Sequence, residues 1–341
     1  MLQPLDKTAA HDTAGSGTEA IIALVKDLNW AALDRDVKHA AKRHFLDTLG
    51  VIIAGASGDL AGKAEAVLAK VRGAGRIPVP GRSRRADLLD AAYIAGTAGH
   101  GIELDDGYRQ GSVHPGVATI PAILGLGYEA GVSGRQALEA VIIGYETIIA
   151  VARACHPDLR QRGFHPTGAT GVFGAATASA RLLDLSPVQV SNALGIAAEH
   201  AHTGWQDYAS AQLSFPYIMA IGMRHGWIKV EHFEDKERGD PEMARLAGLV
   251  HVKGTAEMDG LYPANRPARV TITTDRGKFE KEAMEALGAR EVPLDDARLG
   301  DKFRDLVDPV LGKERAIKLL DALWRLDELD NIKSLLDSTV R

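Results

Sequence analysis

"TGATGVFGAATASARLL", Thr167 to Leu183, is built almost entirely from glycine, alanine, serine and threonine. A helix of that composition gains little from burying its own side chains. It repays the cost of ordering only where neighbouring helices approach its backbone closely enough for many dispersion contacts. The stretch therefore predicts a tightly packed helical assembly, and its neighbours agree. Upstream, Ser133 and Gln136 form a capping-box pattern for "RQALEAVIIGYETIIAVARACH". Downstream, Ser186 caps the next helix with Pro187 at its first position, and "VQVSNALGIAAEHA" follows.

Further out, "VATIPAILGLGYEAG" (Val117 to Gly131) is apolar on most faces and predicts a buried helix. "DLLDAAYIAGTAGHGIEL" (Asp87 to Leu104) reads as a helix running straight into a polar loop. "RDVKHAAKRHFLDTLGVIIAG" carries apolar residues at spacings of three and four and ends in glycine, while "EAIIALVKDL" opens the first helix. After Val250 the texture changes. "RVTITT" alternates as a strand, with Val270 and Ile272 on one side, and a turn follows at Asp275-Arg276-Gly277. "KFEKEA" is a short strand or the start of a helix, and "HVKG" (His251 to Gly254) a further strand. A lone hairpin is marginal in water, so the strand at Val270 is expected to pair with "LVHV" or with a second subunit. The tail from Asp295 is helical again.

The 341 residues, 45% hydrophobic and 25% charged, are ordinary for a globular protein. A net charge of −5 with mixed signs and no basic stripe argues against nucleic acid. The single cysteine, Cys155, allows no internal disulfide and fits a reducing compartment. No apolar run approaches a membrane span, and the N-terminus lacks a signal-peptide core; a cytoplasmic protein with a disordered lead-in is expected.

"HGIELDDGYRQGSVHPG" (His100 to Gly116) interrupts this apolar chain with titratable chemistry. It has no apolar period and reads as an unburied connection between two helices. Glu103, Asp105 and Asp106 crowd together, which should raise at least one pKa by like-charge repulsion. His114, followed by Pro115, is a natural proton shuttle. The blander reading is a solvated acidic loop. A second His-Pro pair stands in "RQRGFHPTGATG", where His165-Pro166 precedes the small-residue helix. Arg160 and Arg162 add charge beside backbone N–H groups that suit a carboxylate or phosphate. There is no H-E-x-x-H, no cysteine pair, no dinucleotide fingerprint and no P-loop; His200 and His202 are poorly spaced for one helix face. No metal and no cofactor are expected.

The two His-Pro motifs in this order, together with "FLDTLGVIIAG", "NALGIA" and "SAQLSFPYIMAIGMRHG", resemble successive blocks of the MmgE/PrpD family, which includes 2-methylcitrate dehydratase, cis-aconitate decarboxylase and iminodisuccinate epimerase. The resemblance covers nearly the whole chain from about residue 20. It implies a mainly α fold: a large all-α domain with a smaller α+β lid, the site between them, and a homodimer. The expected organisation is a lead-in at 1–18, an all-α domain at 19–205, a lid remnant at 206–292 and C-terminal helices at 293–341. It implies a cofactor-independent hydro-lyase acting on a small di- or tricarboxylate. Matching residues place His114, His165, Glu103 and Tyr217 in catalysis; Asp105, Asp106, Arg109 and Arg162 are assigned to substrate binding. Gly107 stands where some relatives carry threonine. The chain departs from the family pattern after Gly204, passing through "WQDYA" directly to "SAQLSFPY". The absent block would have carried two lysines for the substrate carboxylates, so a more open cleft and weaker binding are expected. A shortened, catalytically impaired paralogue is the alternative, as are decarboxylation or epimerisation.

Overall fold

The computed structural model describes residues 17–161, 164–200, 215–226, 240–250, 268–274, 276–285, 287–288 and 292–340. Residues 1–16 of the lead-in, Arg162, "HVKG" and residues 201–214 lie outside the described residues, while Gly17 and Thr18 of the expected lead-in already start the first helix. The chain runs through α1 (Gly17–Asp27), α2 (Arg35–Gly55), α3 (Asp59–Arg72), α4 (Leu88–His100), α5 (Pro115–Ala130), α6 (Gly134–Cys155), α7 (Asp158–Gln161), α8 (Pro166–Leu182) and α9 (Pro187–His200). Then come α10 (Phe215–His225), α11 (Pro241–Gly248), a strand pair, α12 (Asp296–Leu311), α13 (Lys313–Trp324) and α14 (Lys333–Asp337). The fold is mainly α.

The small-residue helix α8 does what its composition requires. It is wedged between α5 and α6 at glycines. A Cβ on Gly174 would sit 2.8 Å from the Gly144 carbonyl oxygen of α6, and one on Gly171 would sit 2.6 Å from Ala118 Cβ of α5. Ser133 caps α6 through the full reciprocal box with Gln136. Helix α2 is the core's axis: Phe45, Leu46, Leu49, Ile52 and Ile53 are fully buried. The C-terminal helices α12 and α13 return to pack on it, with Phe303 against Gly50. Burying a side chain of that size stabilises by about 3 kcal/mol. Among the described residues, no single helix is long and apolar enough to cross a membrane.

Two expectations change. Helix α4 stops at His100 rather than reaching Leu104, because Gly101 caps it and Glu103 adopts a left-handed φ of 51°. The strand at Val270 pairs with "KFEKEA", which is therefore a strand and not the start of a helix. β1 (Ala268–Thr274) and β2 (Gly277–Ala283) form an antiparallel hairpin with Ile272 opposite Phe279. One face carries Val270, Ile272 and Phe279; the other carries the Arg269–Glu282 ion pair and the Thr271–Glu280 hydrogen bond.

Candidate functional site

Both His-Pro pairs occupy helix N-caps. Proline suits the first helical position and holds the residue before it extended. His114 (φ −109°, ψ 92°) therefore precedes α5, and His165 (φ −84°, ψ 112°) precedes α8. Because α5 and α8 pack directly together, the two caps meet. Thr167 ties them: its hydroxyl accepts the His114 backbone N–H at 3.0 Å. The end of α4 delivers a third imidazole, His100. Ring centroids lie 5.0 Å apart for His100 and His114, 5.4 Å for His100 and His165, and 6.5 Å for His114 and His165.

One oxygen of Asp105, Oδ2, faces two of these rings, at 2.8 Å from His100 Nδ1 and 3.2 Å from His114 Nδ1. Its side chain has no exposed surface, and its other oxygen, Oδ1, has no hydrogen-bond partner among the described residues. The loop is thus mostly half-buried, with the Asp105 carboxylate inside it, contrary to its polar sequence. It is tolerated inside because its charges are paired and hydrogen-bonded. Asp106 points the opposite way. Its Oδ1 accepts the Gly116 N–H (3.0 Å), and its Oδ2 meets the Tyr145 hydroxyl (2.8 Å) and His44 Nδ1 (3.0 Å). Lys302 of α12 clamps the same loop, donating to the Leu104 carbonyl at 2.8 Å while pairing with Asp47 at 2.8 Å.

These partners set the charges. Burial alone would raise Asp105, but hydrogen bonds from His100 and His114 hold it well below the usual carboxylate range. Burial works likewise against Asp106, and His44 and Tyr145 bring it down. Burial would lower His114, yet the Asp105 carboxylate, helped by Glu103 and Asp106, raises it to about 9. His165 is lowered to about 4, first by burial and then by the charge on His100 and His114, with Arg160 adding to the effect. Glu103 is raised, chiefly by burial and only secondarily by Asp105; like-charge repulsion is the lesser cause. The cluster therefore holds a charged imidazole and a neutral one side by side, an arrangement able to give and accept protons around a small carbon acid.

Of the residues assigned from sequence, His114, His165, Glu103 and Asp105 come together. Asp106 spends both oxygens inside the protein, so it anchors the loop and offers nothing to a substrate. Arg109 is ion-paired with Glu285. Tyr217 lies on α10, but its side chain is outside the described residues, as is Arg162. Sequence reasoning missed His100, His44, Tyr145, Asp47 and Lys302. Their signal was faint: Asp47 and Tyr145 are polar residues set within the apolar runs "FLDTLG" and "IIGYETII". The spacing argument against a metal also missed that His100, Asp105 and His114 bring ligand atoms within 4.8 Å of one another.

The sequence model of the MmgE/PrpD N-terminal domain matches residues 19–224, and that of the C-terminal domain matches residues 195–326. Among curated proteins, the cis-aconitate decarboxylase-like protein oryM of Aspergillus oryzae is 29% identical over 195 residues, 55% of this chain and 40% of that protein. Cis-aconitate decarboxylase of Aspergillus terreus is 27% identical over 204 residues, 58% of this chain and 42% of that protein. The chain spans about two fifths of the length of the curated relatives it matches.

Proposed function

The chain belongs to the MmgE/PrpD family, and from that premise we propose that it is a lyase acting on a small di- or tricarboxylate of the cis-aconitate or 2-methylcitrate type. The observation that carries the reading is the convergence of His114 and His165 beside Asp105, with ring centroids 6.5 Å apart. That spacing is compatible with one small substrate lying between a proton donor and a proton acceptor. The names of the relatives support decarboxylation at least as strongly as dehydration.

In this reading His114, held against Asp105, is the donor and His165 the acceptor. For loss of water, His165 takes the proton from the carbon beside a carboxylate. The freed electron pair forms the double bond, and His114 protonates the departing hydroxyl so that it leaves as water. For loss of carbon dioxide, the bond to the carboxylate carbon breaks. The electron pair left behind passes to a carbon that takes the His114 proton. One donor serves both reactions. Glu103 orients or binds the substrate at the edge of the cluster, and Tyr217 donates a hydrogen bond to it. Arg162 or Arg109 binds another carboxylate; Arg109 does so by exchanging its Glu285 partner. A cytoplasmic homodimer needing no cofactor completes the reading.

The second reading, a shortened paralogue that binds carboxylates without turning them over, is favoured by the direct passage from Gly204 through "WQDYA" to "SAQLSFPY", where the family resemblance implies a block carrying two lysines. An assay of the purified chain with cis-aconitate and 2-methylcitrate, following carbon dioxide release and alkene formation, separates the two. Turnover on the order of 10 per second supports the lyase. Absence of turnover, with a carboxylate still raising the melting temperature, supports the binding protein.

A further inference from the structure

We infer that His100, Asp105 and His114 form a binding site for a borderline-soft divalent cation such as Zn2+, which competes with the acid–base chemistry of the same cluster. The inference uses the residues of the proposed lyase site, but its geometry stands whether or not that reaction is correct.

Two imidazoles and one carboxylate present ligand atoms within 4.8 Å of one another. Asp105 Oδ2 lies 2.8 Å from His100 Nδ1 and 3.2 Å from His114 Nδ1. Zinc holds nitrogen and carboxylate oxygen at about 2.0–2.2 Å, which in a tetrahedral site puts neighbouring ligand atoms about 3.4 Å apart. Reaching that spacing opens the first contact by about 0.6 Å and the second by about 0.2 Å. In that geometry one cation takes the place of the protons now shared along them. Oδ1 of Asp105, buried and without a hydrogen-bond partner among the described residues, gives the carboxylate a second oxygen on which to rotate.

The donor set selects the ion. Two imidazoles with one carboxylate suit zinc, cobalt or ferrous iron, whereas magnesium and calcium ask for a shell of oxygens. Side-chain exposures of 16% for His100 and 29% for His114 leave a way in from solvent. Three protein ligands leave a fourth position for water or a substrate carboxylate. A bound cation takes the ring nitrogen of His114 that faces Asp105 and neutralises Asp105. His114 then loses the arrangement that makes it a proton donor, so the cation inhibits.

The test is calorimetric titration of chelator-treated full chain with ZnCl2, with MgCl2 as the hard-ion control. One Zn2+ per chain with micromolar or tighter affinity is expected, with no heat from Mg2+. His100→Ala, Asp105→Asn and His114→Ala should each weaken binding at least ~10-fold. His39→Ala, on the outer part of α2, should leave it unchanged. Thermal melts confirm that each variant is folded, and the Co2+ absorption spectrum of the unmutated chain reads the coordination without any variant. Binding no tighter than millimolar, or binding that survives both His100→Ala and Asp105→Asn, overturns the site. In a preparation that turns over a carboxylate, turnover should fall in step with zinc occupancy and return on chelation. Turnover that rises with zinc overturns the inhibitory role and the metal-free reaction together, while leaving the binding site in place.

Discussion

Asp105 and Asp106 are adjacent in sequence and face opposite sides of one loop. Asp106 turns toward α2 and α6, where Tyr145, His44 and the Gly116 N–H satisfy both of its oxygens. Asp105 turns toward the caps of α5 and α8, where two imidazoles share one oxygen and the other has no hydrogen-bond partner among the described residues. On the first side both carboxylate oxygens are hydrogen-bonded. The second side keeps unused capacity beside the exposed His165. Fully satisfied polar groups rigidify a fold, while partly satisfied ones are where chemistry is found. The loop thus has a holding face and a working face, and substitutions should tell them apart.

The largest effect is expected on the working face. His165→Asn should lower turnover by about 10²- to 10⁴-fold, the range of a lost acid–base group. Its chemical denaturation midpoint at neutral pH should stay close to that of the unmutated chain, since much of the residue faces solvent. A folded variant with undiminished turnover would remove His165 from the reaction.

Gly116→Ala attacks the holding face. The added Cβ would sit 2.1 Å from Thr48 Oγ1 and 2.7 Å from both Asp106 Oδ1 and the Tyr145 hydroxyl. Overpacking of a buried polar network should cost about 3 kcal/mol. Urea unfolding measures it, and a loss below ~1 kcal/mol would mean the network yields easily. Lys302→Met is milder. It removes the clamp on the Leu104 carbonyl and leaves Asp47 buried without its cation. The expected loss is ~1–3 kcal/mol, with turnover reduced and KM little changed, because the loop is loosened rather than the substrate contacts cut.

A further comparison of the two faces is the pH dependence of stability in chelator-treated protein. His114 is raised to about 9, so its contribution is complete below the unfolded value of about 6.5 and is lost as pH rises through 9. His165 is lowered to about 4, so its penalty on folding appears as pH falls from about 6.5 toward 4. The two place a stability maximum near pH ~6.5. His114→Asn should flatten the alkaline limb, and His165→Asn the acid limb. Urea midpoints measured across pH 4 to 9 read both limbs, and unchanged limbs in both variants would contradict the assignment.

Much of this was legible in the sequence. The small residues of "TGATGVFGAATASARLL" announced the close approach of α5, α6 and α8, and two His-Pro pairs announced two helix caps that meet. The holding face was hidden. Its members, His44, Tyr145, Asp47 and Lys302, come from α2, α6 and α12, and no local pattern joins residues that only tertiary packing brings together. His100 was hidden differently. It closes α4 as an ordinary last residue, and only the break at Gly101 and the left-handed Glu103 turn Asp105 back toward it. The polar loop misled because burial was judged from apolar periodicity, whereas paired charges can be buried without one.

The division of labour is tested most directly by comparing Asp105→Asn with Asp106→Ala, measuring turnover of a carboxylate substrate and urea stability on the same preparations. Asp105→Asn should lose turnover by about 10²-fold or more at a smaller cost in stability than Asp106→Ala, because it loses the charge that His100 and His114 stabilise but keeps an oxygen that can accept a hydrogen bond. Asp106→Ala should lose about 3 kcal/mol by leaving three donors without their acceptor, yet retain much of its turnover at low temperature where it remains folded. If the two effects are exchanged, or if both variants lose turnover and stability alike, the loop has no separate holding and working faces.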